Sequence, residues 1–330
     1  MRYYARKLGF YLVALWAALT LNFFIPRLMP GNPVDTLMAK LQQRGGATDP
    51  SVRRSYELLL GTDTGDPLIG QYLSYLANMV RGDLGVSVSV FPTDVSTVIA
   101  DALPWTVVLV GLATLMSFLL GIGLGTLVGW KRGTWLDSLV PATTVLAAVP
   151  YFWLALILVA IFASTLKWFP LNGGYDVILS PGWNGEFIAS AVYHGTLPAL
   201  TIVISSVGGW LLGMRNMMVS TVSEDYILTA RAKGLRDRRI MTRYAARNAV
   251  LPSVAGFAIS LGFVVSGSII TEQVFSYPGI GSRLLQAVEN NDYALMQGIF
   301  LVITVAVLGA NLVVDLLYGL IDPRTRAGNR

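Results

Sequence analysis

The sequence VVLVGLATLMSFLLGIGLGTLVGW, residues Val107–Trp130, contains no charged side chain. A helix rises about 1.5 Å per residue and the hydrocarbon core of a bilayer is about 30 Å thick, so about 20 apolar residues are enough to cross it. A strand with an open edge cannot satisfy its backbone groups in lipid, which leaves a helix as the expected structure. The glycines of Gly121–Gly125 are typical of helices that pack closely inside membranes. The stretch therefore predicts a transmembrane helix.

Five further apolar runs predict an all-α polytopic membrane protein with about six transmembrane helices. The six predicted spans are Leu8–Ile25, Val107–Trp130, Leu139–Ala163, Leu197–Met218, Val250–Ile270 and Ala294–Ile321. Only 13% of the 330 residues are charged, whereas an average soluble domain has about 25%. A signal peptide is the alternative for Leu8–Ile25, but the run is long and Pro26–Gly31 does not resemble a cleavage site. We expect it to be retained as the first span.

The distribution of positive charge predicts that both termini are cytoplasmic. With the N-terminus inside, Lys131, Arg132 and the arginine-rich segment 231–247 are also inside, and the net charge of +5 fits this topology better than nucleic-acid binding. The predicted domains are 1–26, the N-terminal tip and first helix; 27–103, a small extracytoplasmic subdomain of short helices; 104–322, a core membrane domain with five transmembrane helices; and 323–330, a cytoplasmic tail.

The composition also limits the chemistry of the chain. It contains no cysteine and one histidine, His194. A disulfide framework and a multi-histidine metal site within the chain are therefore excluded.

The loop between the fourth and fifth spans predicts a short helix with a signal at each end. Ser223 is a candidate N-cap, and Glu224 and Asp225 suit the positive end of the helix dipole. Gly234 suits the left-handed position after a helix C-terminus, and Leu235 the apolar position that follows it.

A second helix is expected that is capped by Asp237 and runs to Asn248, because apolar residues recur there at helical spacing among arginines. Thr229, Ala230 and Ala232 keep the first helix slim enough to enter a groove of a partner. The alternative for segment 223–247 is a solvated basic amphipathic element that contacts anionic lipid.

This loop resembles the coupling helix of ABC-importer permeases, which has a small-residue triplet, a glycine and a Leu-Pro ending. Leu228–Ala230, Gly234 and Leu251–Pro252 occur in that order. The triplet does not begin with an acid, and the distance from glycine to Leu-Pro is longer than in sugar permeases. In both respects the chain is similar to the dipeptide/oligopeptide/nickel branch, in its first-permease (B-type) subunit. Further stretches similar to that branch are Pro30–Pro33, Gly82–Gly85, Arg247–Ala249, Glu272–Gly281 and the ending Asp315…Tyr318…Asp322–Arg324.

The resemblance implies the permease fold of ABC type I importers and a set of partners. A substrate-binding protein would deliver a di- or oligopeptide outside, a second homologous permease would complete the pathway, and two ATP-binding subunits would supply ATP hydrolysis. The ATPase-coupling residues it implies are Asp225, Tyr226, Thr229, Ala230, Arg231, Ala232, Lys233, Gly234 and Leu235. The chain has no Gly-x-x-x-x-Gly-Lys-Ser/Thr motif, so ATP and Mg²⁺ are expected in the partner subunits and no cofactor or enzyme activity in this chain. An oligosaccharide or a nickel complex is the alternative substrate.

Polar residues within apolar spans are candidates for the pathway or a gate, because burying them in lipid is costly. The candidates are Ser260, Ser268, Thr271, Glu272, Tyr277, Pro278, Gly279, Asn311 and Asp315. Helical spacing would place Ser260, Ser268 and Thr271 near one face. For the serine and threonine hydroxyls the structural alternative is hydrogen bonding within the helix. For Glu272 the alternative is solvation at the outer boundary. Asp315 could pair with Arg215.

Two other classes remain as alternatives. A secondary transporter would show paired broken helices with intramembrane acids, and no such pair is evident in the sequence. A membrane-embedded enzyme would need a convergent nucleophile and base or a metal set, which one histidine and no cysteine disfavour.

Overall fold

A computed structural model of the chain describes residues 2–43, 45, 49–60, 67–266 and 268–321. Within these residues the regular structure is helical, apart from one antiparallel bridge between Val86 and Asp94. The helices are α1 (Arg2–Leu28), α2 (Pro33–Gln43), α3 (Pro50–Leu60), α4 (Leu68–Arg81), α5 (Val95–Trp130), α6 (Leu139–Ala148), α7 (Tyr151–Leu158), α8 (Gly185–Val222), α9 (Asp225–Ala232), α10 (Asp237–Arg239), α11 (Ala246–Ala249), α12 (Leu251–Phe263), α13 (Ile269–Val274), α14 (Ile280–Glu289) and α15 (Tyr293–Ile321). The all-α prediction is confirmed.

Four helices in the described part of the chain are long and apolar enough to cross a membrane without interruption. They are Arg6–Leu28 of α1, all of α5, all of α8, and Tyr293–Val313 of α15. Helices α5 and α8 have 36 and 38 residues, well beyond the roughly 20 that a bilayer requires. Sequence analysis found only their apolar centres, because the polar ends of a helix carry no hydropathy signal.

The third predicted span, Leu139–Ala163, is not one continuous helix. Helix α6 ends at Ala148, α7 begins at Tyr151, and a π-helix continues from Val159 to Thr165. Pro150 lies at the break with an extended ψ of 129°. Proline has no backbone N–H and disfavours helical geometry in the residue before it. The prediction of an unbroken helix here was wrong.

The fifth predicted span is part of a bent pair. Segment 237–249 and the segment Leu251–Ser266 pass the length and hydropathy criteria together, with a bend of 51° between them. Pro252 lies in the first turn after the bend, where its missing N–H leaves no hydrogen bond unmade. With this pair the described residues hold up to five spans, and the total of six stays a prediction.

The chain divides into two compact units. The first comprises Met1–Trp105, Val265–Ile269 and Pro278–Arg330, and the second Thr106–Val264 and Ile270–Tyr277. The core of the first unit is formed by the start of α5 with α14 and α15, and includes Val95, Ile280 and Leu295, all fully buried. The predicted domain boundaries stay a prediction, although α2, α3 and α4 supply short helices within residues 27–103.

A buried carboxylate fixes the loop before α5 in the first unit. Asp292 accepts hydrogen bonds from Ser87 Oγ at 2.6 Å and from the Ser89 backbone N–H at 2.7 Å. Its other oxygen accepts from the Leu295 N–H at 3.0 Å, as an N-cap of α15. One side chain thus caps a helix and holds a loop 205 residues away in sequence.

The second unit contains a close seam between α5 and α8. An ideal Cβ added at Gly121, Gly125 or Gly129 would lie only 2.4, 2.5 or 2.6 Å from an atom of α8. The same addition at Gly123 would meet nothing within 4 Å. The glycines at every fourth position therefore let two backbones approach, as sequence analysis proposed for this stretch.

Candidate functional site

The predicted coupling helix is α9, and its N-terminus differs from the prediction. The N-cap residue is Glu224, which makes no side-chain capping bond. Ser223 instead ends α8, and its hydroxyl donates to the Ser220 carbonyl at 2.7 Å. The prediction of Ser223 as N-cap was wrong, because the preceding membrane helix continues to this point. Asp225 lies in the first turn, as expected from the dipole.

The C-terminus of α9 has the predicted geometry. Gly234 adopts a left-handed φ of 71°. The Leu235 N–H donates to the Ala230 carbonyl at 3.3 Å, and the Gly234 N–H donates to the Arg231 carbonyl at 2.9 Å. This pair of bonds is the Schellman motif, which satisfies carbonyls that a helix end would otherwise leave unpaired. The motif fixes the length of α9 and the direction in which the chain leaves it.

The inner face of α9 packs on the chain itself. Ile227 is fully buried and Ala230 is 3% exposed, in a cluster with Met214 and Met218 of α8. Ile240, Ala245 and Ala249 of the following segment complete that cluster, and all three are fully buried. The small size of Ala230 therefore serves packing within this protein, which corrects the expectation that Ala230 belongs to a slim surface offered to a partner.

The outer face of α9 is a stripe of four residues at positions i, i+3, i+4 and i+7. They are Asp225, Leu228, Thr229 and Ala232, all exposed. Leu228 is 55% exposed although it is apolar. Leu228 is not among the coupling residues predicted from the sequence, although its i, i+3, i+4, i+7 spacing with Asp225, Thr229 and Ala232 was a signal that could have identified it. We call these four residues the outer stripe.

The remaining coupling candidates connect α9 to its surroundings. The Arg231 guanidinium lies 5.5 Å from the centre of the Trp130 ring at the end of α5, within the range of a cation–π contact. Tyr226 Oη accepts a hydrogen bond from Asn248 Nδ2 at 2.9 Å. Lys233 is exposed, and Leu235 packs against the inner cluster. The element thus contacts both α5 and α8.

The helix after Gly234 extends over residues 237–249, close to the prediction. Its N-cap is Arg236 and Asp237 lies in the first turn, so Asp237 is not the cap itself. A π-helical segment from Ile240 to Ala245 interrupts it. Ile240 and Ala249 are fully buried, whereas its arginines are exposed.

Arg215 of α8 pairs with Asp137 in the 3₁₀ turn Trp135–Ser138. The distance from Arg215 Nη2 to Asp137 Oδ1 is 3.0 Å. A hydrogen bond from the Gly133 backbone N–H and then the Arg215 guanidinium lower the pKa of the Asp137 carboxyl. The expected partner of Arg215 was Asp315, whose side chain lies outside the described residues, so the pair that the structure shows is a different one.

The fifth-span hydroxyls do not share one helical face. Helix α12 ends at Phe263, a 3₁₀ turn follows to Ser266, and α13 starts at Ile269. The spacing that aligned Ser260, Ser268 and Thr271 assumes an unbroken helix, and that prediction was wrong. Ser260 Oγ donates to the Phe257 carbonyl at 2.7 Å, which is the local hydrogen bond considered as its alternative.

Glu272 is fully buried, together with Thr271 beside it. Its Oε1 accepts a hydrogen bond from Thr106 Oγ1 of α5 at 2.8 Å. The alternative that Glu272 is solvated was therefore wrong. A buried carboxylate is costly unless it is hydrogen-bonded, so this contact joins α13 to α5 within the second unit.

The turn after α13 is held by main-chain bonds and burial. Ser276 has a left-handed φ of 48°, and the Tyr277 N–H donates to the Glu272 carbonyl at 2.7 Å. Burial, followed by the negative charge of Glu272, raises the pKa of Tyr277 to about 12. Pro278 is half-buried and Gly279, the N-cap of α14, is buried. The predicted turn is present, and its role as a gate stays a prediction.

The last two pathway candidates lie in α15. Asn311 is half-buried, and the side chain of Asp315 falls outside the described residues. In the described part of the chain no three His, Cys, Asp or Glu side chains are grouped so that they could hold a metal ion. The structure therefore offers no candidate metal centre there.

Comparison with known proteins assigns the chain to a family. The family described as "Binding-protein-dependent transport system inner membrane component" matches residues 121–327. The di/tripeptide transport system permease protein DppB of Pseudomonas aeruginosa is 34% identical over 99% of both chains. The oligopeptide transport system permease protein AppB of Bacillus subtilis is 31% identical over 92% of both chains. The probable D,D-dipeptide transport system permease protein DdpB of Escherichia coli is 34% identical over 93% of this chain and 92% of its own length. The chain therefore belongs to the binding-protein-dependent transport system inner membrane components, the multi-pass permease subunits of ABC importers.

Proposed function

We propose that this chain is a permease subunit that imports di- or oligopeptides and receives the motion of ATP-binding subunits through α9. A second homologous permease would complete the pathway, and an extracytoplasmic binding protein would deliver the peptide. The relatives named as di/tripeptide, oligopeptide and D,D-dipeptide permeases support the substrate class. In this proposal both termini and segment 223–247 lie in the cytoplasm.

The observation that carries the proposal is the division of α9 into two faces. Ile227 and Ala230 anchor one face in the chain, while the outer stripe is exposed with Leu228 at its centre. An exposed apolar residue on a short helix with both ends fixed favours insertion into a groove of a partner.

The proposed mechanism is the transmission of motion through a rigid element. When the ATP-binding subunits close, they would move the outer stripe, and the buried inner face would pass that motion to α8. The Arg231–Trp130 contact would pass it to α5. The pathway would then alternate between outward and inward access, with Glu272 and the turn Tyr277–Gly279 proposed as parts of the outer gate.

The test is a charge placed on the outer stripe. Leu228→Glu should abolish co-purification of the ATP-binding subunits and ATP-dependent peptide uptake into vesicles, because an unpaired charge would be buried in the interface. Thr242→Glu is the matched control, since Thr242 is exposed on the same element but lies outside the stripe. Normal assembly and uptake of the Leu228→Glu protein would refute the proposed coupling surface.

The substrate class has its own test. The complete transporter in vesicles should take up labelled peptides only with ATP and the binding protein, and collapsing ion gradients should not stop it. Uptake that needs an ion gradient instead of ATP would favour a secondary transporter. A binding protein that retains an oligosaccharide or a nickel complex would replace the peptide assignment without affecting the coupling proposal.

A further inference from the structure

A cavity of about 720 Å³ opens beside the coupling element in the second unit. Its lining consists of Tyr226, Arg239, Arg243, Tyr244, Arg247, Asn248 and Leu251. Clefts of this size commonly hold small ligands. Of the lining residues only Tyr226 is also a coupling candidate, and it lies outside the outer stripe; none is a pathway candidate.

Three of the lining residues are arginines spaced four apart along segment 237–249. Arg239, Arg243 and Arg247 are exposed, and about one turn of helix separates each from the next. None of the three has an acidic partner within ion-pair distance among the described residues; the ion pairs found there include Arg53 with Asp35 and Glu57, and Arg215 with Asp137. The acids of the same element, Glu224, Asp225 and Asp237, are thus not paired with these arginines.

This arrangement favours a phosphate group as the ligand. A guanidinium group is planar and always charged, and its N–H groups match two phosphate oxygens at once. Three such groups at one opening repel one another unless an anion neutralises them.

The lining also includes a neutral hydrogen-bonding group, the Tyr226 hydroxyl. Tyr226 Oη accepts from Asn248 Nδ2 at 2.9 Å, and this bond does not use the phenol O–H, which can act as a donor. Asn248 Nδ2 also donates to the Tyr244 carbonyl at 3.3 Å. The amide thereby ties the Tyr226 hydroxyl of α9 to the backbone of segment 237–249.

One lining residue, Leu251, is apolar and lies in the segment of the bent pair that follows the bend. Leu251 lines the cavity and is 62% exposed, and Val254, one turn further on, is 47% exposed. Both belong to the apolar half of the bent pair, just after the 51° bend. A soluble phosphate would have no use for this surface, whereas an acyl chain would lie along it. Clusters of Arg and Lys immediately beside a membrane span are typical of anionic lipid binding.

We propose that this cavity binds the phosphate head group of an anionic phospholipid, with its acyl chains against Leu251 and Val254. Arg243 and Arg247 hold the phosphate, and Tyr226 donates a further hydrogen bond. The site is independent of which substrate the transporter carries.

The experiment titrates dioleoyl phosphatidylglycerol into the purified full-length chain in neutral detergent and counts bound lipid by native mass spectrometry. Dioleoyl phosphatidylcholine, with the same acyl chains, reports the contribution of the head-group charge. The double variant Arg243→Gln/Arg247→Gln should weaken phosphatidylglycerol binding at least about tenfold, since two charge-assisted contacts are lost. The matched variant Arg236→Gln/Arg238→Gln removes two exposed charges of the same element outside the cavity and should change binding less than about twofold.

Three outcomes would overturn the proposal. Equal losses in the two double variants would show only non-specific attraction to a basic surface. Full displacement of the lipid by inorganic phosphate would assign the cavity to a soluble anion. If the purified Arg243→Gln/Arg247→Gln chain kept phosphatidylglycerol binding, and the same variant no longer co-purified with the ATP-binding subunits from the complete transporter, the arginines would belong to a protein interface.

Discussion

Replacing Gly125 with alanine tests whether the α5–α8 seam depends on the absence of a side chain. The added Cβ would lie 2.5 Å from the Leu211 carbonyl oxygen and 2.8 Å from the Met214 Cβ. The first contact is about 0.9 Å shorter than ordinary van der Waals separation of about 3.4 Å. Because the blocking atom belongs to the backbone, no side-chain rotation relieves it and the helices must separate locally.

The expected cost follows from two opposing effects. Overpacking of this kind costs about 1–3 kcal/mol, and separation of the helices also weakens the dispersion contacts at Gly121 and Gly129. Alanine is favoured over glycine within a helix by about 1 kcal/mol. We therefore expect Gly125→Ala to lower the free energy of unfolding by about 1–2 kcal/mol.

Gly123→Ala is the matched control, since its added Cβ meets nothing within 4 Å. It has the same propensity gain without the clash, so it should be neutral or stabilising by up to about 1 kcal/mol. The measurement is the tryptophan-fluorescence unfolding midpoint of the purified chain on titration with a denaturing detergent. Equal midpoints for the two variants would refute the seam as the reason for glycine at position 125.

Three further predictions use the same unfolding assay. Glu272→Ala should lower the free energy of unfolding by about 1–3 kcal/mol because Thr106 loses a buried acceptor. Glu272→Gln keeps an acceptor oxygen and should lower it less. Equal losses in the two variants would contradict the hydrogen-bond role. Gly234→Val should cost about 1–2 kcal/mol at its left-handed φ of 71° and Gly234→Asn clearly less, and no difference between them would argue against the Schellman ending. The hydrogen bond from Gly133 and then the Arg215 guanidinium lower the folded-state pKa of Asp137. The contribution of Asp137 to the free energy of unfolding is therefore complete above the ordinary carboxyl pKa of about 4 and is lost as pH falls below it. The midpoint difference between wild type and Asp137→Asn should shrink below about pH 4, and a constant difference would contradict the assignment.

The features that sequence analysis predicted well are those with local causes. The end of α9 needs only Gly234 and Leu235, and the apolar centres of α5, α8 and α15 follow from uninterrupted hydropathy. Pro150 was a visible signal that Leu139–Ala163 would be interrupted, but the prediction of this span rested on hydropathy alone.

The features that sequence analysis missed depend on tertiary contacts. Ala230 suits a partner's groove and a tight core equally well, and only the packing against Met214 and Met218 distinguishes the two. Arg215 has its partner, Asp137, 78 residues away in sequence. Glu272 follows an apolar segment, and no local sequence pattern indicates that Thr106 of α5 donates a hydrogen bond to its carboxylate.

The coupling element and the glycine seam are mechanically connected within the second unit. Helix α9 is anchored on Met214 and Met218, and Met214 also faces Gly125 across the seam. A displacement of α9 relative to α8 would open a fully packed cluster, and a displacement of α8 relative to α5 would require two closely approaching backbones to slide. We therefore expect α5, α8 and α9 to move together, with the change in backbone direction absorbed at the interruptions beside Pro150 and Pro252. Cross-linking α9 to α8 through a cysteine pair should then leave uptake intact, whereas a cross-link across the Pro252 bend should stop it; the reverse pattern would place the moving joint inside the coupling element.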